Sequence, residues 1–440
     1  MTAARLVYTL LWRLALPLVL LRLWWRGRRE PLYRRFIGER FGAGAAPVDA
    51  GGARPVWIHA VSLGETRAAA PLIAALREQR PGMRLLLTHT TATGREAGAA
   101  LLRPGDAQAW LPYDLPGALR RFLRRFQPAV AVLMETEVWP NLTVACRDAG
   151  IPLLLVNARL SARSAARWAR WPALAAVAWG GIEAAAQTAA DGERLERIGA
   201  ARVDVLGNLK FDMTPDPALL VLGAQWKQAA ARPVLLLAST REQAGVAEED
   251  LLLRALPPEL ARRALLVWVP RHPQRFDAVA QRLAAAGFRV QRRSRGLPDA
   301  GVAVWLGDSV GEMAAYYAMA DAAFIGGSLL PLGGQNLIEA CACGCPVVLG
   351  PSQFNFAAAA QAAVAAGAAV TADSARQVWQ ALSVLLDDPP ARQAAAGNAV
   401  EFAAAHRGAA RRQADWIVRR LGDGPAAQPP SRPDRPAAGQ

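Results

Sequence analysis

Short apolar runs that each end in a polar loop recur along most of this 440-residue chain. The stretches between them are rich in alanine, leucine and arginine and are long enough for helices. Apolar runs of this length are typical of buried parallel strands, and strands that alternate with helices predict an α/β fold. The predicted strands lie at 56–61, 85–88, 129–133, 152–156, 203–206, 234–238, 322–325 and 346–349.

The pattern divides the chain into two halves of similar size, each with several strand-loop-helix repeats. A single core stops growing near ~250–300 residues, so two domains are expected. The predicted segments are a membrane anchor at 1–30, an N-terminal Rossmann-like domain at 31–213, a proline-containing linker at 214–232, a C-terminal Rossmann-like domain with closing helices at 233–421, and a disordered tail at 422–440.

The first apolar stretch, 6–25, is long enough to span a bilayer but contains Arg13 and Arg22. Trp24 and Trp25 precede a basic segment, which is the expected order of residues at a membrane interface. An arginine inside a span is costly, so a helix lying in the interface remains an alternative. If the helix spans the membrane, the basic flank places the remaining chain in the cytoplasm.

The net charge is +15, and nearly half of it falls within residues 1–40. This asymmetry favours an anionic membrane surface, and no nucleic-acid-binding signature is present. Three of the four cysteines lie within 341–345, with no distant Cys or His partner that would complete a zinc site. We therefore expect neither nucleic-acid binding nor a metal, and no cofactor.

Polar groups at the ends of the predicted strands are the candidates for chemistry, because open α/β sheets bind ligands there. Glu65, in HAVSLGET, is either half of a capping box with Ser62 or a general base. The helix dipole would lower its pKa. Glu135 and Glu137 alternate on a segment read as extended, so only one of them would face a given site.

Lys210 is one of only two lysines in the chain and follows the last strand of the first half. Its position favours contact with a phosphate over a solvated role. Arg159, Arg163, Arg167 and Arg170 recur at helical spacing near tryptophans, which fits either an anionic lipid surface or a solvated face.

The second half carries candidates for a nucleotide. Pro270 and Arg271 follow a strand, and Arg271 offers a planar fork that matches phosphate oxygens. Gly311 and Glu312 open a predicted helix. The glycine-rich loop after 322–325 leads into Asn336 to Glu339, where backbone amides at a helix start could hold phosphate.

Several of these strings together resemble the bacterial 3-deoxy-D-manno-octulosonic acid (Kdo) transferases of lipopolysaccharide core assembly. The strings that carry the resemblance are WIHAVSLGET, LPYDLP, METEVWPNL, NARLSARSA, GNLKFD, VPRHPQRF, GDSVGEM, GGSLLPLGGQNLIEA and GPSQFNF. The resemblance implies GT-B architecture, in which two Rossmann-like domains face each other across a cleft. It also implies inverting transfer of Kdo from CMP-Kdo to the 6′-hydroxyl of lipid IVA, a tetra-acylated, bis-phosphorylated lipid A precursor, on the cytoplasmic side of the inner membrane.

Residue roles follow from the same resemblance. Glu65 matches the general base, and Lys210 with Glu137 (Glu135 as second choice) matches the groups that stabilise the transition state. The matches to CMP-binding segments are Pro270, Arg271, Val310, Gly311, Glu312, Asn336, Leu337, Ile338 and Glu339. Arg159 and Arg163 are candidates for acceptor contacts.

Two departures from the family pattern affect the donor side. After Ser239 and Thr240 the family has a compact Gly-Glu-Glu, whereas this chain has the longer REQAGVAEED. Gln335 stands where the family often has histidine, so no charged imidazole can act there. A UDP-sugar transferase or epimerase, or a catalytically silent membrane-bound nucleotide-binding protein, remains an alternative on the same fold.

Overall fold

The computed structural model describes residues 2–44, 53–299 and 301–421, which form two compact units. Unit 1 comprises Met1–Asp212 and Gly408–Gln440, and unit 2 comprises Met213–Arg407. The predicted disordered tail, 422–440, lies outside the described residues.

Unit 1 is built on a seven-stranded parallel sheet in the order β3-β2-β1-β4-β5-β6-β7. The strands are β1 (Val56–His59), β2 (Leu85–His89), β3 (Ala107–Trp110), β4 (Val130–Met134), β5 (Leu153–Ala158), β6 (Glu183–Ala186) and β7 (Arg202–Val205). β1, β2, β4 and β5 are buried at every position, which explains their almost continuous apolar sequences.

Helices connect the strands of unit 1. They are α1 (Ala3–Arg26), α2 (Leu63–Gln79), α3 (Ala92–Ala99), α4 (Pro116–Phe126), α5 (Pro140–Asp148), α6 (Ala162–Ala169), α7 (Pro172–Trp179) and α8 (Ala189–Ile198), with α18 (Ala409–Leu421) returning from the C-terminal end. α1 is long and apolar enough to cross a membrane, judged by length and composition.

Unit 2 contains a second seven-stranded parallel sheet in the order β12-β13-β11-β8-β14-β15-β16. Its strands are β8 (Val234–Thr240), β11 (Leu265–Pro270), β12 (Val290–Arg292), β13 (Val304–Leu306), β14 (Ala322–Ile325), β15 (Val347–Leu349) and β16 (Ala369–Thr371), and β9 (Glu242–Gln243) with β10 (Val246–Ala247) forms a separate antiparallel hairpin. β8, β11 and β14 are neighbours, so the loops that follow them emerge side by side.

The helices of unit 2 include the segment predicted as a linker. They are α9 (Pro217–Ala230), α10 (Glu248–Ala255), α11 (Pro258–Arg263), α12 (Phe276–Ala285), α13 (Met313–Met319), α14 (Leu337–Ala342), α15 (Ala357–Ala365), α16 (Ala375–Asp387) and α17 (Pro389–Ala405). The prediction of a linker at 214–232 is wrong, because α9 packs on α13 and buries Trp226 against Trp305 and Tyr316. Pro217 begins this helix instead of breaking it, as proline does at a first helical position.

The prediction that the closing helices up to residue 421 all belong to the C-terminal domain is also wrong. α18 packs on α2 of unit 1, and Asp212 caps its start by accepting hydrogen bonds from the backbone N–H groups of Gly408 (2.5 Å) and Ala410 (2.7 Å). The sequence pattern marks α18 as amphipathic but does not show which sheet its apolar face covers.

We predict that Trp416→Ala destabilises unit 1 by about 3–5 kcal/mol, the usual cost of truncating a buried tryptophan. Trp416 is 1% exposed, and its indole N–H donates to Asp204 Oδ2 at 2.6 Å. Chemical denaturation of the purified protein, followed by hydrogen exchange in α2 and β7, measures the loss. The control is Val400→Ala on α17, because that side chain is 50% exposed. Equal stability of the two variants would contradict the assignment of α18 to unit 1.

Candidate functional site

Glu65 lies in the first turn of α2, directly after the loop that follows β1. Its Oε2 accepts a hydrogen bond from the Val61 backbone N–H at 2.8 Å, and its Oε1 accepts one from Ser62 Oγ at 3.2 Å. The Glu65 N–H donates in turn to Ser62 Oγ at 3.4 Å. Ser62 therefore caps α2, as the capping-box interpretation predicts, but the Glu65 carboxylate reaches back to the Val61 N–H and not to that of Ser62. These bonds fix the orientation of the carboxylate.

Burial changes the acidity of this carboxyl group. Burial is the largest cause, and together with the negative charges of Glu135 and, more weakly, Glu137 it raises the pKa of Glu65 to about 7 against the hydrogen bonds that lower it. Burial therefore outweighs the lowering expected from the helix dipole. A carboxyl group with a pKa near neutrality suits a general base.

Glu135 and Glu137 follow β4 on a turn and not on an extended segment. Glu135 has φ of +57°, in the left-handed region, and the Glu137 N–H donates to Met134 O. The prediction of an extended segment is therefore wrong, and the charges of both glutamates raise the pKa of Glu65. Burial raises the pKa of Glu137, while the Trp139 indole N–H, 3.2 Å from its Oε2, lowers it.

Lys210 joins this group of acidic residues. Its Nζ forms an ion pair with Glu135 Oε1 at 2.8 Å, and both side chains are about one-fifth exposed. The loop before it is held by α18, because Gln413 donates to Gly207 O at 2.8 Å and accepts from the Asn157 N–H at 2.9 Å. Glu65, Glu135, Glu137 and Lys210 thus lie together in unit 1.

His59 and His89 lie beneath this group on the adjacent strands β1 and β2. Burial lowers their pKa values to about 3 and about 4, so both rings are neutral at physiological pH. Nδ1 of His89 hydrogen-bonds Ala60 O at 2.8 Å, in the loop that leads to Glu65. His89 therefore supports the backbone of this loop, whereas His59 Nδ1 lies 2.9 Å from Thr88 Oγ1 on β2. Sequence reasoning missed both histidines because a buried histidine has no distinctive neighbours in the sequence.

Unit 2 gathers polar residues at the ends of three neighbouring strands. Arg271, after β11, is oriented by a hydrogen bond from its Nε to Gln335 Oε1 at 3.0 Å. The pKa of His272 is lowered by burial and by the charges of Arg271, Arg241 and Arg275. Gln335 therefore supports an arginine where a charged imidazole would repel it.

The longer loop after Thr240 contains a hairpin that ends just before Glu248 and Glu249. Residues 242–247 form the β9–β10 hairpin, and the Glu248 N–H closes it by donating to Arg241 O at 2.9 Å. The hairpin is an insertion that leaves both glutamates at the start of α10, where each is fully buried. The hairpin accounts for the extra residues of REQAGVAEED relative to the compact family pattern.

The two glutamates connect the three loops. Glu248 accepts hydrogen bonds from the backbone N–H groups of Arg241 (2.8 Å), Gly327 (2.7 Å) and Leu329 (3.0 Å). Glu249 forms a two-pronged ion pair with Arg275, with N···O distances of 3.0 and 2.7 Å. Charged hydrogen bonds of this kind are stronger than neutral ones, so they fix the loops after β8, β11 and β14 relative to one another.

Gly311 has φ of +92°, which favours glycine, and Val310 beside it is 69% exposed. Glu312 precedes α13, and its Oε1 accepts a hydrogen bond from Arg293 at 3.0 Å.

Asn336 caps α14 through its Oδ1, which lies 3.1 Å from the Ile338 backbone nitrogen. Leu337 and Ile338 are buried, so only their backbone can contact a ligand. Pro270 ends β11 and Glu339 lies in the first turn of α14.

The arginines of the NARLSARS segment do not lie on one helix. α6 begins at Ala162, so Arg159 precedes it and donates its backbone N–H to Glu135 O at 3.2 Å. Arg163 is exposed on α6, and Trp171 after that helix is 65% exposed. Within the described parts of the chain, no group of three or more His, Cys, Asp or Glu side chains could hold a metal ion.

Comparison with known proteins places the chain in a family. The profile described as 3-Deoxy-D-manno-octulosonic-acid transferase (kdotransferase) matches residues 35–213. The 3-deoxy-D-manno-octulosonic acid transferase of Bordetella pertussis is 49% identical, over 94% of this chain and 99% of that protein. That of Haemophilus influenzae is 35% identical, over 94% and 98%. The chain belongs to the Kdo transferase family.

Solved structures confirm the predicted fold class. S. aureus MnaA with UDP has a TM-score of 0.57 and 15% identity, and covers 83% of this chain and 95% of its own. The UDP-GlcNAc 2-epimerase of Neisseria meningitidis with UDP-GlcNAc has a TM-score of 0.54 and 17% identity, over 83% and 99%. These likenesses show the GT-B fold. This Kdo transferase is accordingly a glycosyltransferase of lipopolysaccharide core assembly.

We expect the Glu65 carboxyl of the transferase to titrate near 7 and Glu135→Gln to lower its pKa. Glu135 is the negative charge that raises this pKa most, and removing it favours ionisation of Glu65. Carbon-13 NMR of labelled glutamate side chains, assigned with Glu65→Gln, measures both values. Glu78→Gln is the control because Glu78 is exposed on the same helix. A wild-type pKa near the ordinary value of 4.5 would contradict the burial effect.

Proposed function

We propose that the transferase moves Kdo from CMP-Kdo to the 6′-hydroxyl of lipid IVA by a single inverting displacement, with Glu65 as general base. The observation that carries this proposal is a fixed carboxylate with a pKa of about 7, close to two further carboxylates and a lysine. A base with this pKa is ionised for much of the time at neutral pH and still has affinity for a proton.

The chemistry follows from these groups. Glu65 removes the proton of the acceptor hydroxyl as its oxygen bonds to the anomeric carbon of Kdo. The bond from that carbon to the CMP phosphate breaks on the opposite face of the sugar, and CMP leaves with the electron pair. The sugar carbon gains positive charge in the transition state, and the leaving phosphate gains negative charge.

Glu137 and Lys210 are the proposed stabilising groups. A buried carboxylate opposes the positive charge on the sugar, and an ammonium opposes the charge on the phosphate. The ion pair between Lys210 and Glu135 supports different roles for the two glutamates: Glu135 holds the lysine in place, and Glu137 stabilises the transition state. Glu137 forms no ion pair within the described residues and accepts a hydrogen bond from the Trp139 indole N–H.

Unit 2 is the proposed donor-binding unit. Arg271, held by Gln335, supplies a cation for the CMP phosphate, and the backbone around Gly311 and the start of α14 supplies N–H donors. The hydrogen bonds of Glu248 and the ion pair of Glu249 keep these loops in one arrangement.

We assign the apolar side of α1 to attachment to the membrane that holds the lipid acceptor. Leu10, Leu14, Leu18 and Trp25 are exposed on α1. Arg28, Arg29 and the exposed Arg163 add positive charge. We place the transferase on the cytoplasmic side of the inner membrane, since basic residues follow the apolar helix, and we assign Arg159 and Arg163 to contacts with acceptor phosphates.

The test is transfer by Glu65→Gln. We expect its turnover to fall by at least about 100-fold, which is the low end of what general-base catalysis contributes. CMP-Kdo binding, measured by calorimetry, should remain because unit 2 is untouched. The assay incubates CMP-Kdo with tetra-acylated lipid A precursor and determines the mass of the lipid product, which also counts the sugars added.

Glu78→Gln is the matched control for this variant, because it makes the same chemical change at an exposed position of α2. Turnover of Glu65→Gln near the wild-type rate would exclude Glu65 as the base. Competition by UDP but not by CMP would exclude CMP-Kdo as the donor.

A further inference from the structure

Helix α1 has two different sides along its length. Leu11, Leu14, Leu18 and Leu21 are 60–70% exposed and recur every three or four residues. The opposite side carries Arg5, Tyr8, Thr9 and Trp12, which are buried or partly buried. One side of α1 is thus available to lipid, while the other side contacts the rest of unit 1.

The contacting side is joined to unit 1 by a buried polar cluster around Asn141. Arg5 Nε donates to Asn141 Oδ1 at 2.8 Å, and Asn141 Nδ2 donates to Thr9 Oγ1 at 3.0 Å. Asn141 is fully buried, and its backbone N–H donates to Asp114 Oδ2 at 3.0 Å. Buried polar groups that lose their partners are costly, so this contact holds α1 in one position.

Asn141 lies at the start of α5, immediately after the segment that bears Glu137. The rings of Trp12 and Trp139 are 6.4 Å apart at 57°, and the Trp139 indole N–H donates to Glu137 Oε2 at 3.2 Å. Trp12 is itself fixed by a hydrogen bond from its indole N–H to Tyr8 Oη at 2.8 Å. A continuous series of contacts therefore leads from α1 to a carboxylate of the candidate site.

We propose that Trp139 is a positioning residue for Glu137 and that α1 holds Trp139 in place through Trp12. The helix then forms part of the active-site wall in addition to any role in membrane attachment. This inference rests on the proposed role of Glu137 in transfer. The indole N–H fixes one carboxylate oxygen and favours the ionised form that opposes positive charge on the sugar.

The experiment uses the full-length transferase and two matched groups of variants. Trp139→Phe removes the N–H but keeps a ring against Trp12, and Trp12→Leu removes the ring contact. Leu14→Ser and Leu18→Ser alter only the exposed side. Each is assayed for kcat and for KM of CMP-Kdo in detergent, and for sedimentation with vesicles of phosphatidylethanolamine and phosphatidylglycerol.

We expect Trp139→Phe and Trp12→Leu to lower kcat about tenfold, the typical effect of one hydrogen bond to a charged group. Their KM for CMP-Kdo and their vesicle binding should stay at wild-type values. Leu14→Ser and Leu18→Ser should show the reverse, with weaker vesicle binding and unchanged kcat in detergent.

The double variant Trp139→Phe/Glu137→Gln separates positioning from general damage to the fold. If Trp139 acts through Glu137, its substitution has no further effect on kcat when Glu137 is already glutamine. Wild-type kcat in Trp139→Phe, or full additivity in the double variant, would overturn the inference. Wild-type kcat in Glu137→Gln would instead overturn the proposed role of Glu137 itself.

Discussion

The burial of three carboxyl groups beside one lysine is the constraint on which the functional half of this structure depends. Glu65, Glu135 and Glu137 repel one another in surroundings that disfavour charge, and Lys210 forms an ion pair with Glu135. The unfavourable free energy of ionising these groups appears as the raised pKa values of Glu65 and Glu137. A sheet that brings several strand ends together makes such an arrangement possible, and perturbed carboxyl groups are frequent at functional sites.

The scaffold around this group explains why distant parts of unit 1 matter. α18, which ends the described chain, holds the loop before Lys210 through Gln413. Near the other terminus, α1 contacts Asn141 and Trp139 beside Glu137. The site is therefore supported from both ends of the unit, although its candidate residues all lie between positions 65 and 210. In unit 2, Glu248 and Glu249 have the corresponding supporting role for three loops.

The sequence predicts the fold class, the family and eight of the fourteen strands in the two described parallel sheets, because buried parallel strands leave continuous apolar runs and the motifs follow them. It fails where the outcome depends on packing between remote segments. Amphipathic α18 is recognisable, but its partner α2 is not, and the prolines of 214–232 indicate a linker as readily as the start of α9. The pKa of Glu65 was expected to fall from its place at a helix start, whereas burial raises it, and burial is a property of the folded chain. The left-handed φ of Glu135 likewise converts an apparently extended segment into a turn.

The pH dependence of kcat/KM tests the central claim most directly, because it reports the ionisation of the free enzyme's essential base. If Glu65 is that base, activity requires its ionised form. The profile should then rise about tenfold per pH unit below the pKa and level off above about 7. A profile that stays flat from about pH 5 to about pH 8 would show that no group with the properties of Glu65 controls the transfer, and it would contradict the account.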